Sequence, residues 1–162
     1  QKAADEGVIR ISCGAVLAFV DPTGNAWFAD REYEEHFFGF SGGGTIDRGT
    51  TSVRGTDNPE LYHSELFGQG SYTITLPDGK YLLRLHFAEM YRPVGPGGRV
   101  FDIVVEEKLV FKNFDVLQET GEYDKVCVKE VDVEVSDGVL NIEFPSDKNH
   151  TPLLNGIEVI RQ

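Results

Sequence analysis

Aromatic side chains stand beside hydrogen-bonding side chains in four short segments of the sequence, residues 37–43, 61–67, 86–92 and 147–152. A sugar presents C–H groups on its faces and hydroxyl groups at its edges. A site for it therefore combines rings that stack on the faces with planar polar groups that bind the hydroxyls. These four segments carry the residue types that a carbohydrate site requires.

Each ring has a simpler interpretation, because aromatic residues in a β-protein belong more often to the core than to a ligand site. Tyr91 and Arg92 are better candidates than the others. They follow an apolar run and precede the turn-rich residues 93–98. This position predicts an exposed loop at the end of a strand, where binding residues are common.

Glu65 and Glu89 are the residues that could act as acid and base in glycoside hydrolysis, which needs two carboxyl groups about 5–10 Å apart. The sequence gives no such distance. Glu89 falls on the apolar face of its strand, which favours a carboxylate paired with a buried arginine or with backbone amides. We therefore expect no enzymatic activity.

Metal and redox chemistry find little support in the residue spacing. His36, His63 and His86 stand far apart, and neither they nor His150 show the spacing of a zinc site. A structural calcium ion is compatible with the many Asp residues, but no EF-hand-like loop assigns one. Cys13 and Cys127 match no metal or redox motif, which favours two free thiols in or near the core over a disulfide. We expect no cofactor.

The charge balance narrows the choice of partners. The chain has 15 basic and 27 acidic residues, a formal net charge of −12. That field repels a phosphate backbone and an anionic membrane surface, so we expect neither nucleic acid nor membrane binding. No apolar run approaches the roughly 20 residues that span a bilayer. A neutral glycan is indifferent to the charge and is the favoured partner.

Apolar residues alternate with polar ones at a period of two, which predicts short strands rather than long helices. The alternating runs lie at residues 9–13, 72–76, 81–87, 101–105, 109–111, 131–135, 140–144 and 157–159. Turn residues separate them at 77–79, 106–107 and 136–138. Many short strands at this spacing predict an all-β fold, an antiparallel jelly-roll β-sandwich.

The length of 162 residues suits one domain. We assign residues 1–7 to a flexible lead-in and residues 8–162 to a single domain. Residues 30–70 are predicted as a long, glycine-rich loop, and their aromatic residues argue against disorder, which indicates a functional loop.

Eight motifs follow one another along the chain: ISCG at 11–14, WFADR at 27–31, GFSGG at 39–43, LYHSE at 61–65, LHFAEMY at 85–91, RVFDI at 99–103, NFDV at 113–116 and NGIEV at 155–159. Their content and order resemble the malectin domain, also described as carbohydrate-binding module family 57. The resemblance runs from about residue 8 to residue 160. It implies a jelly-roll sandwich related to galactose-binding domains that binds oligosaccharides in a cleft at one end, without catalysis.

The family's sugar-binding positions can be carried over to this chain one by one. With Tyr62 added from the second aromatic segment, the candidate ligand-binding residues are Phe40, Tyr62, Phe67, Tyr91, Arg92, Asn149 and His150. The family's animal lectin has tyrosines at the positions of Phe40 and Phe67, and an acidic residue at the position of His150. It has phenylalanine where this chain has Arg92. The polar contacts differ, so the animal lectin's glucose-disaccharide preference does not transfer.

We therefore expect a non-catalytic carbohydrate-binding module that takes an oligosaccharide or polysaccharide. We expect it to be covalently linked to neighbouring domains of a larger carbohydrate-active or surface protein that is secreted, periplasmic or at the cell surface. The alternative is a structural or protein-interaction module that has kept the fold and lost the sugar site. A cleft filled by Arg92 would favour that alternative.

Overall fold

Within residues 7–162 the chain forms fourteen strands, one short α-helix and one turn of 3-10 helix (Pro59–Tyr62). The structure is a computed structural model that describes residues 7–162, so the predicted lead-in lies outside the described residues except for Gly7. No helix within residues 7–162 is both long and apolar enough to cross a membrane.

Two sheets make up most of the fold. One has four strands, in the spatial order β1 (Val8–Ser12), β14 (Gly156–Arg161), β8 (Gly79–Ala88) and β11 (Val126–Val135). The other has five, in the order β10 (Lys108–Phe114), β9 (Phe101–Val105), β12 (Val139–Glu143), β7 (Ser71–Thr75) and β4 (Phe38–Ser41). The ladders that join these strands are antiparallel, which confirms the predicted all-β sandwich.

The two sheets share one apolar core. The alternation predicted at residues 72–76 and 81–87 is confirmed, because its apolar side chains are at most 4% exposed. Phe87 of β8 packs across the sandwich against Phe114 of β10, with ring centroids 4.9 Å apart. Burying one such ring contributes roughly 1.5–3 kcal/mol, so this contact helps to hold the sheets together. Cys13 and Cys127 are free and buried, as expected.

Two smaller sheets lie outside this pair. One consists of β13 (Leu153–Leu154), β6 (Ser64–Phe67) and β5 (Gly44–Asp47), and the other of β2 (Phe19–Val20) and β3 (Ala26–Trp27). The interpretation of residues 30–70 as one long loop is therefore wrong, since β4, β5 and β6 fall within it. Strands this short, separated by glycines, contain too few residues to show an alternating pattern.

A short helix, α1 (Val116–Thr120), was not predicted. Its five residues are too few to produce a 3.6-residue period. Its ends carry ordinary capping signals. The carboxylate of Asp115 accepts a hydrogen bond from the backbone amide of Gln118, and Gly121 closes the helix with φ of 75°. The predicted reversal at Glu106 and Glu107 is confirmed as a two-residue turn with positive φ at both positions.

Candidate functional site

A cleft of about 430 Å³ lies between the β5–β6 hairpin, the loop that follows β8 and the loop that precedes β13. The two strands of this hairpin, and the connection 48–63 that joins them, contribute Ile46, Arg48, Glu65 and Phe67. The other two loops contribute Tyr91, Val94, Gly98, Arg99, Asn149 and Thr151. Residues from three separate parts of the sequence thus meet around one concave surface.

The register of the β5–β6 hairpin places its cleft residues on one face. Ile46 pairs with Glu65 across the hairpin, and Gly44 pairs with Phe67. Side chains two residues apart in a strand share a face, so Glu65 and Phe67 point to the same side. A Cβ atom at Gly44 would lie 3.2 Å from the Phe67 ring. The glycine therefore lets that ring lie against the neighbouring strand.

Arg48 and Glu65 form an ion pair in the floor of the cleft. Nη2 of Arg48 donates a hydrogen bond to Oε2 of Glu65 over 2.9 Å. The side chain of Glu65 is 1% exposed and that of Arg48 is 18% exposed. The guanidinium of Arg48 also lies 5.4 Å from the centre of the Tyr91 ring, within the range of a cation–π contact. The pair therefore links the hairpin to the loop after β8.

Glu89 and Arg99 form a second pair, which is buried more deeply. Nε of Arg99 donates to Oε1 of Glu89 over 2.6 Å, and its Nη1 donates to the carbonyl oxygen of Thr151 over 2.5 Å. Burial raises the pKa of Glu89, and the charge of Glu65 raises it further, whereas the hydrogen bond and charge of Arg99 lower it. The expectation that Glu89 pairs with a buried arginine is confirmed. Arg99 ties the loop after β8 to the loop before β13.

The cleft combines an apolar wall with a charged floor. Tyr91 is 44% exposed, and Phe67, which lines the same cleft, is half-buried. Two arginines and two carboxylates lie beneath them, so the formal charges of the floor cancel. Such a surface can stack on an apolar face of a ligand and hydrogen-bond to its edge. Within residues 7–162, no group of three or more His, Cys, Asp or Glu side chains is placed to hold a metal ion.

The structure brings three of the seven predicted site residues together in this cleft: Phe67, Tyr91 and Asn149. Phe40 lies elsewhere, on β4, where it is half-buried, pairs with Tyr72 and packs against the main core. Phe38 and Phe40 share one face of β4, and both rings pack against the core.

Tyr62 and Arg92 do not line the cleft either. Tyr62 is 2% exposed, and its hydroxyl forms a hydrogen bond with Nδ1 of His86 over 2.9 Å. Arg92 is exposed and turns away. Its Nη2 binds the carboxylate of Asp124 over 2.5 Å, and its guanidinium stacks 4.6 Å above the Tyr123 ring. Arg92 therefore does not fill the cleft.

His150 lines a neighbouring, more open cavity of about 670 Å³. Its Nδ1 lies 3.5 Å from a carboxylate oxygen of Asp147. Thr151 lines both this cavity and the cleft, so the two are adjacent. His150 thus borders the extension of the cleft rather than the cleft itself.

Sequence reasoning missed the arginines of the floor and weighed Glu65 only as a catalytic carboxylate. Arg48 follows Ile46 by two residues, and Phe67 follows Glu65 by two. A spacing of two residues is typical of a strand face, but two positions in each segment are too few to predict a strand. For Arg99 the sequence offers less, because a single basic residue shortly before an apolar strand does not indicate a binding site.

Proteins of several kinds contain a similar domain. Kinesin-like protein KIN-14E of Oryza sativa subsp. japonica is 33% identical over 163 residues, which is 95% of this chain and 14% of that protein. A β-glucuronidase of Bacteroides uniformis superposes with a TM-score of 0.87 at 21% identity, covering 96% of this chain and 18% of the enzyme. The ANXUR1 extracellular domain of Arabidopsis thaliana superposes with a TM-score of 0.76 at 23% identity, covering 96% and 42% of the two chains.

At these identities the two structures show the fold alone, and the glucuronidase match reflects one shared β-sandwich domain. The chain spans a small part of each relative, so the activity of the whole relative is not carried by this similarity. The family model described as Malectin domain matches residues 7–159, which is nearly the whole sequence. The chain therefore belongs to the malectin domain family.

Proposed function

We propose that this domain is a non-catalytic carbohydrate-binding module that holds an oligosaccharide or polysaccharide in the cleft. The observation that carries the proposal is the exposed ring of Tyr91 beside a buried, hydrogen-bonding floor, within a malectin domain. Tyr91 and Phe67 offer faces for stacking on a sugar ring. Asn149, at the rim, offers an amide that can both donate to and accept from hydroxyl groups.

The contacts of Tyr91 favour binding by a ring that is already in place. Its backbone amide donates to Oε2 of Glu89 over 3.4 Å, and the guanidinium of Arg48 lies over its ring. A side chain oriented before binding loses less conformational entropy when the ligand arrives. These two contacts hold the Tyr91 side chain in place although it is exposed. Tyr91 is therefore the main stacking residue of the proposal.

A neutral glycan fits the electrostatics better than an acidic one. The chain carries a formal net charge of −12, and the two ion pairs of the floor add no net charge. An anionic ligand therefore meets a repulsive long-range field. A long neutral chain has a second place to bind, since the cavity beside His150 continues from the cleft past Thr151.

The domain acts, in this proposal, as one part of a larger carbohydrate-active or surface protein. It spans 14% of the kinesin-like relative and 42% of the ANXUR1 extracellular domain, so similar domains occur inside longer chains. The ANXUR1 domain is described as extracellular, which supports a secreted or surface location for this domain. A protein-interaction module without a sugar site is not favoured, because Arg92 leaves the cleft and binds Asp124.

Isothermal titration with cellohexaose, maltohexaose and mannohexaose tests the proposal. A few stacked rings and exposed hydrogen bonds give a free energy of binding of about −4 to −6 kcal/mol, so we expect a Kd between roughly millimolar and tens of micromolar for at least one of them. Tyr91→Ala should weaken this binding at least about fivefold through loss of the stacking contact.

Phe37→Ala is the matched control, because Phe37 is an aromatic residue with 52% exposure that does not line the cleft. It should leave the Kd unchanged. The proposal fails if no neutral hexaose binds at millimolar concentration, or if the two variants weaken binding equally.

A further inference from the structure

Two polar atoms in the floor of the cleft have no hydrogen-bond partner among the described residues. They are Oε1 of Glu65 and Nε of Arg48, and both are buried. Most buried polar atoms in folded proteins are paired, and leaving a charged one unpaired is costly. The other oxygen of Glu65 is already bound by Arg48, so the pair is only half satisfied by the protein itself.

The alternation of side chains along β6 directs Glu65 toward the cleft rather than the core. Leu66, the neighbour of Glu65 in β6, is fully buried in the main apolar core. Because successive side chains in a strand point to opposite faces, Glu65 points away from that core. Glu65 and Arg48 both line the cleft. The unpaired acceptor and the unpaired donor thus lie just beneath the same concave surface. Both atoms are closed to solvent in the ligand-free structure, so a small shift of the partly exposed Arg48 side chain must open them to a ligand.

One chemical group satisfies both atoms. A hydroxyl donates one hydrogen bond and accepts up to two, so it can donate to Oε1 of Glu65 and accept from Nε of Arg48. A carboxylate or sulfate only accepts at neutral pH, and it would face Oε1 of Glu65 with a like charge. An apolar group would leave both atoms unpaired. The chemistry of the pair therefore selects an uncharged group that both donates and accepts, and in an unmodified neutral glycan that group is a hydroxyl.

We propose that Arg48 and Glu65 form the specificity-determining pair of the cleft and bind one sugar hydroxyl, which must donate a hydrogen bond to Glu65. This inference rests on the proposed function and names the contact that distinguishes one sugar from another. The stacking rings bind any sugar with an apolar face, whereas the pair accepts only a sugar that places a hydroxyl over it. Glu65, which carries no catalytic role here, becomes a binding residue.

The first test changes the protein. Glu65→Gln retains the size of the side chain and removes its charge. Glu65→Gln should raise the Kd for the bound hexaose by about tenfold, since a hydrogen bond to a charged group is lost. The hexaose used is the one whose binding Tyr91→Ala also weakens. Glu158→Gln is the control, because Glu158 is a buried carboxylate that binds Arg84 and His86 and does not line the cleft. It should lower the melting temperature and leave the Kd within about twofold.

The second test changes the sugar and needs no variant that might misfold. Monodeoxyfluoro derivatives of the disaccharide unit of the bound hexaose replace one hydroxyl at a time by fluorine, which cannot donate. At one position of the sugar, the fluoro derivative should bind the wild-type protein as weakly as the derivative that carries hydrogen there. This result is expected because neither derivative can donate a hydrogen bond to Glu65.

The outcomes separate the two proposals. The specificity inference is overturned if Glu65→Gln binds like the wild type while Tyr91→Ala binds weakly, or if every deoxyfluoro sugar binds like its parent. If no hexaose binds the wild-type protein, the proposed function itself fails and the inference fails with it.

Discussion

The buried pair of Glu89 and Arg99 determines how the loops of the cleft are held, and Arg99→Met tests it. Methionine retains the unbranched stem of the side chain as far as the position of Nε and removes the guanidinium. The carboxylate of Glu89, which is 1% exposed, then has no cation beside it. The carbonyl oxygen of Thr151 also loses the donor that it has at 2.5 Å. The substitution therefore leaves a buried charge uncompensated.

Arg99→Met is expected to remove a large part of the free energy of unfolding of a domain of this size. Removing one partner of a buried ion pair costs about 3–5 kcal/mol, against a typical free energy of unfolding of roughly 5–15 kcal/mol. Urea denaturation at pH 7 should show a decrease of this size. The double variant Glu89→Gln with Arg99→Met should be more stable than Arg99→Met alone, because the unpaired buried charge of residue 89 is gone.

The cost of Arg99→Met should depend on pH. Burial, and then the charge of Glu65, raise the pKa of Glu89, and removing Arg99 takes away the contacts that lower it. In the variant, the folded-state pKa of this carboxyl lies further above its unfolded value. Protonation therefore stabilises the native variant fully below the unfolded pKa, and this stabilisation is lost as the pH rises through the folded pKa.

The cost should accordingly shrink when the same denaturation is repeated near pH 4. A decrease in the free energy of unfolding below about 1 kcal/mol at pH 7 would refute the reasoning. An equal cost at pH 4 and pH 7 would refute it as well, since an ionised, buried Glu89 is its basis.

Two further predictions concern the turns. Burial raises the pKa of Asp21, but hydrogen bonds from Trp27 and from nearby backbone amides outweigh this and lower it to about 2. An NMR titration should show that value, and Asp21→Asn should remove the part of the stability that is present above the unfolded pKa and lost as the pH falls toward about 2. Gly43→Ala should destabilise the fold more than Gly49→Ala in urea. Both glycines have positive φ, but a Cβ at Gly43 would lie 2.3 Å from the carbonyl oxygen of Phe67, whereas one at Gly49 would meet nothing within 4 Å.

The large sheets were predictable because their strands bury one face each. Tyr72 and Ile74 alternate with exposed or half-buried residues, and this pattern depends only on local sequence. The small sheet of the cleft was not predictable in the same way. Gly39, Gly42 and Gly43 interrupt the alternation of apolar and polar residues. Gly39 and Gly43 are needed because the backbone of other segments lies against them, and the local sequence does not show this contact.

The site was predicted in part, for a related reason. Tyr91 and Phe67 carry the aromatic signal of a sugar site within short stretches of sequence. Arg92 follows Tyr91 directly and was also predicted to bind the ligand. The structure instead pairs it with Asp124, 32 residues away in the sequence. Ion pairs between distant residues, such as that of Arg48 with Glu65, leave no local pattern, because tertiary packing alone brings their members together.

The most direct test of the central claim is an NMR titration of the isotope-labelled domain with cellohexaose, maltohexaose and mannohexaose. If the cleft holds the sugar, chemical-shift changes should concentrate on Tyr91, Phe67, Asn149 and the side chain of Arg48. They should be absent from Arg92 and Asp124, which lie outside the cleft. Saturating shift changes confined to other surfaces, or no change at millimolar sugar, would contradict the claim that this cleft binds carbohydrate.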